Sequence, residues 1–357
     1  MNMGNPLPPP VAEADFYRLF WILAIITLTI AVVALFRRLR LHREHDGVSS
    51  FPVAYEWLAR GLGALWLLDG LLQAQPLMIT RFIGGFLAPL IQGQPALLRS
   101  LIEIGVRLWG INPVMWNEFA TWIQIDIGLL ILLGSVDTWR RVGLWLSVAW
   151  GLVVWIGGEA MGSLFSGGSW LSGSPGSVIL YVLLALLLLL SPSFWQSSRP
   201  TKIFQYGLAG LWGLSALLQA WPASGFWQGQ SMSAYVLSMA EMPQPGIFSE
   251  PLYAWANSLA AHPALWNAVL VITFSILAIL WLIRPKSVVT WWLTTVVTFA
   301  TWWLGQDFGV LGGMGTDPNS GVLVLLSLAV YARLATVPIF GRSLFMDSTP
   351  AKGRTMS

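Results

Sequence analysis

Four acidic residues stand inside or at the edge of apolar segments: Asp69, Glu118, Asp126 and Glu159. A carboxylate at the centre of a lipid-embedded helix costs about 2.5–3.5 kcal/mol, so each needs a proton, a partner or a task. Counting inward from the helix ends at about 1.5 Å per residue, Asp69, Glu118 and Glu159 reach similar depths. Asp126 lies two turns deeper than Glu118 on the same helix face. Three carboxyls at one height suit proton exchange with a bound headgroup, or a proton or cation path. Each taken singly is read equally well as a protonated side chain satisfied by indole, hydroxyl or backbone groups. Trp150, Trp155, Trp302 and Trp303 offer flat faces for an aromatic ligand, with packing between helices as the plainer explanation.

A Gly-rich loop late in the chain adds Gln306, Asp307 and Asp317. Together with Asn319 these aspartates offer oxygen ligands, but the spacing of a calcium loop is missing and no metal site is expected. Asp317-Pro318-Asn319 reads as a turn before the last helix. There is no cysteine, which excludes disulfides, thiolate zinc sites and iron–sulfur clusters. His42 and His45 fall in a basic loop and His262 stands alone before Pro263, as a turn or cap residue, so no axial pair for an intrinsic haem is available. A net charge of +3 spread in small groups gives no footprint for nucleic acid.

The elements that position these groups follow from composition. Hydrophobic residues make up 56% and charged residues 10%, with mean hydropathy +0.68, against about 25% charged in soluble domains. The sequence predicts an all-α polytopic bundle in the inner membrane, with the lipid bilayer as its first partner. About nine helices are expected: an anchor at 16–36, then 55–74, 114–133, 143–157 and 177–190, then 203–220, 264–283, 288–304 and 322–337. This divides the chain into an N-terminal tail, anchor and basic loop (1–48), two four-helix units (49–198 and 199–340) and a tail (341–357). Arg37, Arg38, Arg140, Arg141, Arg199, Lys202, Arg284, Lys286 and Arg333 fall on one side of this topology, placing the N-terminus outside and the C-terminus in the cytoplasm. Arg18, Arg81, Arg99 and Arg107 are exceptions. Trp57, Trp116, Trp139, Trp266 and Trp281 near expected helix ends read as interfacial anchors. In the long outer loop 75–113, Arg99, Glu103 and Arg107 form one charged stripe on an apolar helix, which predicts a segment lying on the membrane surface, a lid over a cavity, or a docking face.

The two units look like one unit written twice. Gly61-Leu62-Gly63-Ala64-Leu65-Trp66 returns as Gly207-Leu208-Ala209-Gly210-Leu211-Trp212, and Asn112-Pro113 with Trp116-Asn117 returns as His262-Pro263 with Trp266-Asn267. Trp155 with Gly158-Glu159 and Gly162 returns as Trp302 with Gly305-Gln306 and Gly309. An even number of helices per unit gives both the same orientation. Ser215 stands at the place of Asp69, Ala268 or a neighbour at that of Glu118, and Gln306 at that of Glu159. The acids are lost where the scaffold repeats, so the first unit is expected to hold the site.

Arg60-Gly61-Leu62-Gly63 with Gly70 on one helix, a long outer loop, then Glu118 and Gly128 on a helix ending Leu132-Leu133-Gly134 before Arg140-Arg141, resembles the DoxX/DoxD-like membrane family. The resemblance covers about 55–190, with a degenerate second match over 203–337. It implies a membrane subunit of quinone-linked sulfur or redox systems, of the thiosulfate:quinone oxidoreductase type, with a quinone as the bound group, a redox or periplasmic partner, and Arg60 and Glu118 as a polar pair. Two other readings stay open: a non-catalytic scaffold using the outer loops for docking, and a proton- or cation-coupled transporter using Asp126 in its path.

Overall fold

The computed structural model describes residues 8–42, 51–134, 138–228, 231–312 and 315–337; the basic loop at 43–50 and the tail at 341–357 lie outside the described residues. Among the described residues the chain is all-α, without strands. Each of the nine expected segments is helical: α1 (Pro9–His42), α2 (Val53–Gln73), α5 (Pro113–Leu133), α6 (Trp139–Gly157), α7 (Ser177–Leu188), α9 (Arg199–Ala220), α12 (Pro263–Ile283), α13 (Val288–Leu304) and α14 (Asn319–Ala335). The two long connections, 74–112 and 221–262, hold helices of their own. The first carries α3 (Pro76–Arg81), a π-helical turn (Phe82–Leu87) and α4 (Ala96–Ile111); the second carries α10 (Ser231–Ala240) and α11 (Gly246–Ala261). A short α8 (Pro192–Trp195) joins the two units.

Two helices, Pro9–Val33 within α1 and α12, are by themselves long and apolar enough to cross a membrane, and α2 with the segment bent 65° after it makes a third if both count as one span. Of the others, α7, α13 and α14 are apolar but shorter, and α2, α5 and α9 carry polar residues, some of which pair between helices. The Gln73 amide donates to Asn117 Oδ1, tying α2 to α5, and the Gln219 and Asn267 amides pair at 2.7 Å, tying α9 to α12. Such pairs lower the apolar content of a helix without leaving polar atoms unsatisfied.

Close approach fixes the first of these crossings. A Cβ on Gly128 would stand 2.7 Å from Gly63 O, and one on Gly70 would stand 2.9 Å from Thr121 O, so α2 and α5 touch through backbone. Beyond α6 the chain turns through Ala160, Met161 and Gly162, at φ 49°, 55° and 66°, and beyond α13 through Asp307, Phe308 and Gly309, at 46°, 56° and 72°. Two of the three residues in each turn accept a left-handed conformation despite a Cβ, at a cost of roughly 1 kcal/mol or more each, which marks the turn as imposed by its surroundings. The Trp155 indole donates to Pro175 O (2.8 Å) and the Trp302 indole to Pro318 O (2.6 Å), closing both loops in the same way.

Each loop then crosses to the other unit. Trp170 donates from its indole to Thr301 Oγ1 (2.7 Å), and Gln306 Nε2 donates to Trp170 O (2.7 Å). In return, Gln75 Nε2 donates to Gly315 O (3.1 Å). At the opposite end of the bundle Arg140 is fully buried, donating to Glu56 Oε1 (2.8 Å) and Ile131 O (3.0 Å). Trp281, expected as an interfacial anchor, is instead completely buried and donates to Thr294 Oγ1 (3.0 Å). Its position near a helix end did not decide its environment, because the neighbouring helix α13 covers it.

Candidate functional site

A cavity of about 140 Å³ opens between α2, α5 and α6. On α2 the stripe Trp66, Asp69, Gln73, spaced three and four residues apart, faces into it. This spacing puts one aromatic, one acid and one amide on a single helix face. From α6 come Trp150, Val153 and Val154, and from α5 Ala120 and Gln124. The π-helical turn supplies Phe82, Phe86 and Leu87, and α4 supplies Ile102, Gly105 and Trp109. The helix α4 therefore lies over the bundle: Leu98, Ile102 and Val106 are buried beneath it, while the exposed Arg107 pairs with Glu103 at 3.7 Å. Its face opposite the charged stripe thus forms part of the cavity wall, through Ile102, Gly105 and Trp109.

The polar groups come from three places. Asp69 is 2% exposed and its Oδ1 has no hydrogen-bonding partner; the Tyr181 hydroxyl of α7 lies beside it. Glu159 Oε1 accepts from Ser177 N (3.0 Å), Ser177 Oγ (2.6 Å) and Val178 N (3.3 Å), so this carboxyl caps the start of α7. A helix N-terminus favours the charged form, yet burial pushes the Glu159 carboxyl well above the ordinary range and the negative charge of Asp317 pushes it further. Asp317 arrives with Thr316 from the loop of the second unit. Its Oδ1 accepts from Asn319 N, and burial raises its carboxyl too, with the Ser177 hydroxyl as a common neighbour of both acids. Each of these two carboxyls therefore keeps its proton to higher pH than an exposed carboxyl would.

The structure sorts the residues singled out by sequence. Asp69 and Glu159 meet, as their matched depths predicted, and Asp317 joins them. Glu118 does not line the cavity. It is buried on α5 beside Trp122, whose ring packs on Phe20 of α1 at 5.4 Å, and both its carboxyl oxygens lack partners. Asp126, on the same helix, is exposed on the outside of the bundle. Arg60 is exposed at the far end of α2 and pairs with Glu56 at 3.9 Å. Because α2 and α5 run antiparallel, with Gly63 against Gly128 and Gln73 against Asn117, Arg60 and Glu118 sit near opposite ends and form no pair.

Trp155 is committed to Pro175 and does not face the cavity; Trp150 does, and its indole N–H has no partner. Asp307 lies in the second unit, accepting from Gln244 Nε2 (2.8 Å). Burial pushes its carboxyl up, and the Tyr235 hydroxyl nearby is pushed up to about 12. Gln306 binds Trp170. His262 takes the N-cap position of α12 without a side-chain capping bond. Sequence reasoning missed Trp66, Gln73 and Trp109; the stripe on α2 was the available signal.

Comparison with family models, with curated proteins and with solved structures returned no match.

Proposed function

We propose that this chain is a multi-pass inner-membrane protein of one anchor and two tandem four-helix repeats in parallel orientation, whose first repeat binds a quinone headgroup in the cavity beneath α4. The repeat is supported by the matched amide pairs, the matched left-handed turns and the matched indole–proline bonds. Arg60, Arg140, Arg199, Lys202, Arg284 and Arg333 stand at the end of the bundle opposite the cavity. By the positive-inside rule the cavity then belongs to the outer leaflet.

One observation carries the ligand assignment: two buried carboxyls, Asp69 and Asp317, and the half-buried Glu159 converge on an aromatic-walled cavity of about 140 Å³. An apolar cavity of roughly 150 Å³ accepts one benzene-sized ring, which is the size of a quinone headgroup. The orphaned Asp69 Oδ1 and Trp150 Nε1 supply hydrogen-bonding atoms for carbonyl or hydroxyl substituents. A bound quinone supplies two-electron, two-proton chemistry. Asp69, Glu159 and Asp317 are placed to give or take those protons, Trp66 and Trp150 to hold the ring by its faces, and α4 to exclude water. The electrons require a redox partner, for which the outer face with its exposed Arg99 and Arg107 and half-buried Glu103 is the accessible side. The resemblance to the DoxX/DoxD-like family agrees with this ligand class, but its Arg60–Glu118 pair plays no part.

The test is purification in nanodiscs, solvent extraction and quantification of quinones by mass spectrometry, with an unrelated membrane protein prepared in parallel. Near-stoichiometric quinone is expected, falling about tenfold in an Asp69→Asn, Glu159→Gln protein, as loss of one strong hydrogen bond of roughly 1.5 kcal/mol requires. Quinone at the control level in the wild-type protein would sink the assignment.

A further inference from the structure

Trp170 belongs to the loop of the first repeat, yet its side chain is buried in the second. The indole lies 5.0 Å from the ring of Trp212, tilted 56° to it, donates to Thr301 Oγ1, and its own carbonyl accepts from Gln306. The duplication pairs Trp212 with Trp66, Thr301 with Val154 and Gln306 with Glu159. All three first-repeat counterparts line the cavity. The indole therefore fills, in the second repeat, the volume that the first repeat leaves open between its own side chains.

The loops explain the asymmetry. Pro175 and Pro318 end the two loops at matching points, and counting back from them sets Trp170 against Gly313. The first loop carries an indole across; the second has a glycine at that place in the sequence, and among its described residues Thr316 and Asp317 line the cavity.

We propose that Trp170 is an internal ligand, and that the pose of its ring is the pose of a flat one- or two-ring ligand in the first repeat: packed on Trp66, apolar edge against Val154, hydrogen-bonding substituents toward Asp69 and Glu159. The substitution of Val154 for Thr301 removes the acceptor that the indole N–H uses, so the ligand presents no donor on that edge. Acids in place of Ser215 and Gln306 put the polar contacts of the ligand on the opposite side. This inference rests on the tandem-repeat part of the proposed function and not on the quinone.

Indole itself is the probe, titrated by calorimetry into protein stripped of quinone by detergent washing and returned to nanodiscs of quinone-free lipid, and corrected for partition into empty discs. The wild-type protein is expected to take up one indole per chain. Gly105 lines the cavity, and a Cβ there meets nothing within 4 Å, so Gly105→Trp supplies a ring from α4 and should reduce the count to none. Trp170→Gly opens the second volume and should raise it to two, and the double variant should return it to one. A folded Trp170→Gly protein that still binds one indole, or a Gly105→Trp protein that binds as the wild type does, overturns the inference. Should Trp170→Gly fail to fold even with indole present, the wild-type and Gly105→Trp pair decides. The count pattern appearing without any co-purified quinone would remove the quinone and leave the internal ligand standing.

Discussion

The two halves of this protein make several matching contacts and differ in what lies around them. In both, a glutamine on the first helix of the unit pairs with an asparagine on the second, and a tryptophan near the end of the third closes a left-handed turn onto a proline carbonyl. In the first half the glycines Gly63, Gly70 and Gly128 bring α2 and α5 into backbone contact; in the second, Ala209, Ala216 and Ala278 hold the matching places. The first half keeps Asp69 and Glu159 around open volume, while in the second Gln306 donates to Trp170 O and Ser215 donates to Leu211 O of its own helix. A buried acid is costly and a buried indole is stabilising. Under the proposed function the second half serves as structural support, and the first keeps the unfavourable groups that a binding site needs.

The comparison breaks most sharply at Glu56. Glu56→Ala leaves the fully buried Arg140 without its carboxylate, and a loss of about 3–5 kcal/mol is expected. Lys202 occupies the matching place in the second half and is exposed, so Lys202→Ala should stay within about 0.5 kcal/mol of wild type. Chemical unfolding in detergent micelles measures both, and equal losses would contradict the contrast.

Acidity separates the halves next. Glu159 and Asp317 bind protons more tightly in the folded protein than in the unfolded chain. Their contribution is therefore complete below the unfolded values of 4.5 and 3.8 and is lost as pH rises through the raised folded values. The slope is at most about 1.4 kcal/mol per pH unit for each group. Glu159→Gln, which copies Gln306 of the second half, should flatten thermal stability between weakly acidic and neutral pH; an unchanged slope would show that this carboxyl does not titrate with folding.

Helix crossing gives a smaller effect. Gly128→Ala forces a methyl against Gly63 O and should cost about 1–3 kcal/mol, whereas Ala278→Gly in the second half costs about 1 kcal/mol through helix propensity alone. The least difference is expected at the shared amide pair. Gln73→Leu and Gln219→Leu should each lose on the order of 1 kcal/mol and agree within about 0.5 kcal/mol; a clear inequality would mean that the two crossings are not equivalent.

Much of the architecture was readable beforehand. The span expected at 288–304 coincides with α13, and those at 114–133 and 264–283 differ from α5 and α12 by one residue. Apolar runs punctuated by Pro and Gly are local signals, and Pro113 and Pro263 each open a helix where proline is tolerated. The candidate site was half readable. Depth along a helix follows from counting residues, which placed Asp69 and Glu159 together, but rotation about the helix axis does not, and Glu118 at nearly the same depth turns toward Trp122 and α1.

By itself the sequence determined an all-α chain, the limits of α5, α12 and α13 to within a residue, and the set of acids needing an explanation, because each of these is set by composition and local periodicity. Only the tertiary structure decided that Asp317 crosses from the second half to join Asp69 and Glu159, that Trp170 crosses the other way, and that Arg60 and Glu118 stay apart. Those outcomes depend on which faces of distant segments bury one another, and such packing is settled by the whole fold at once.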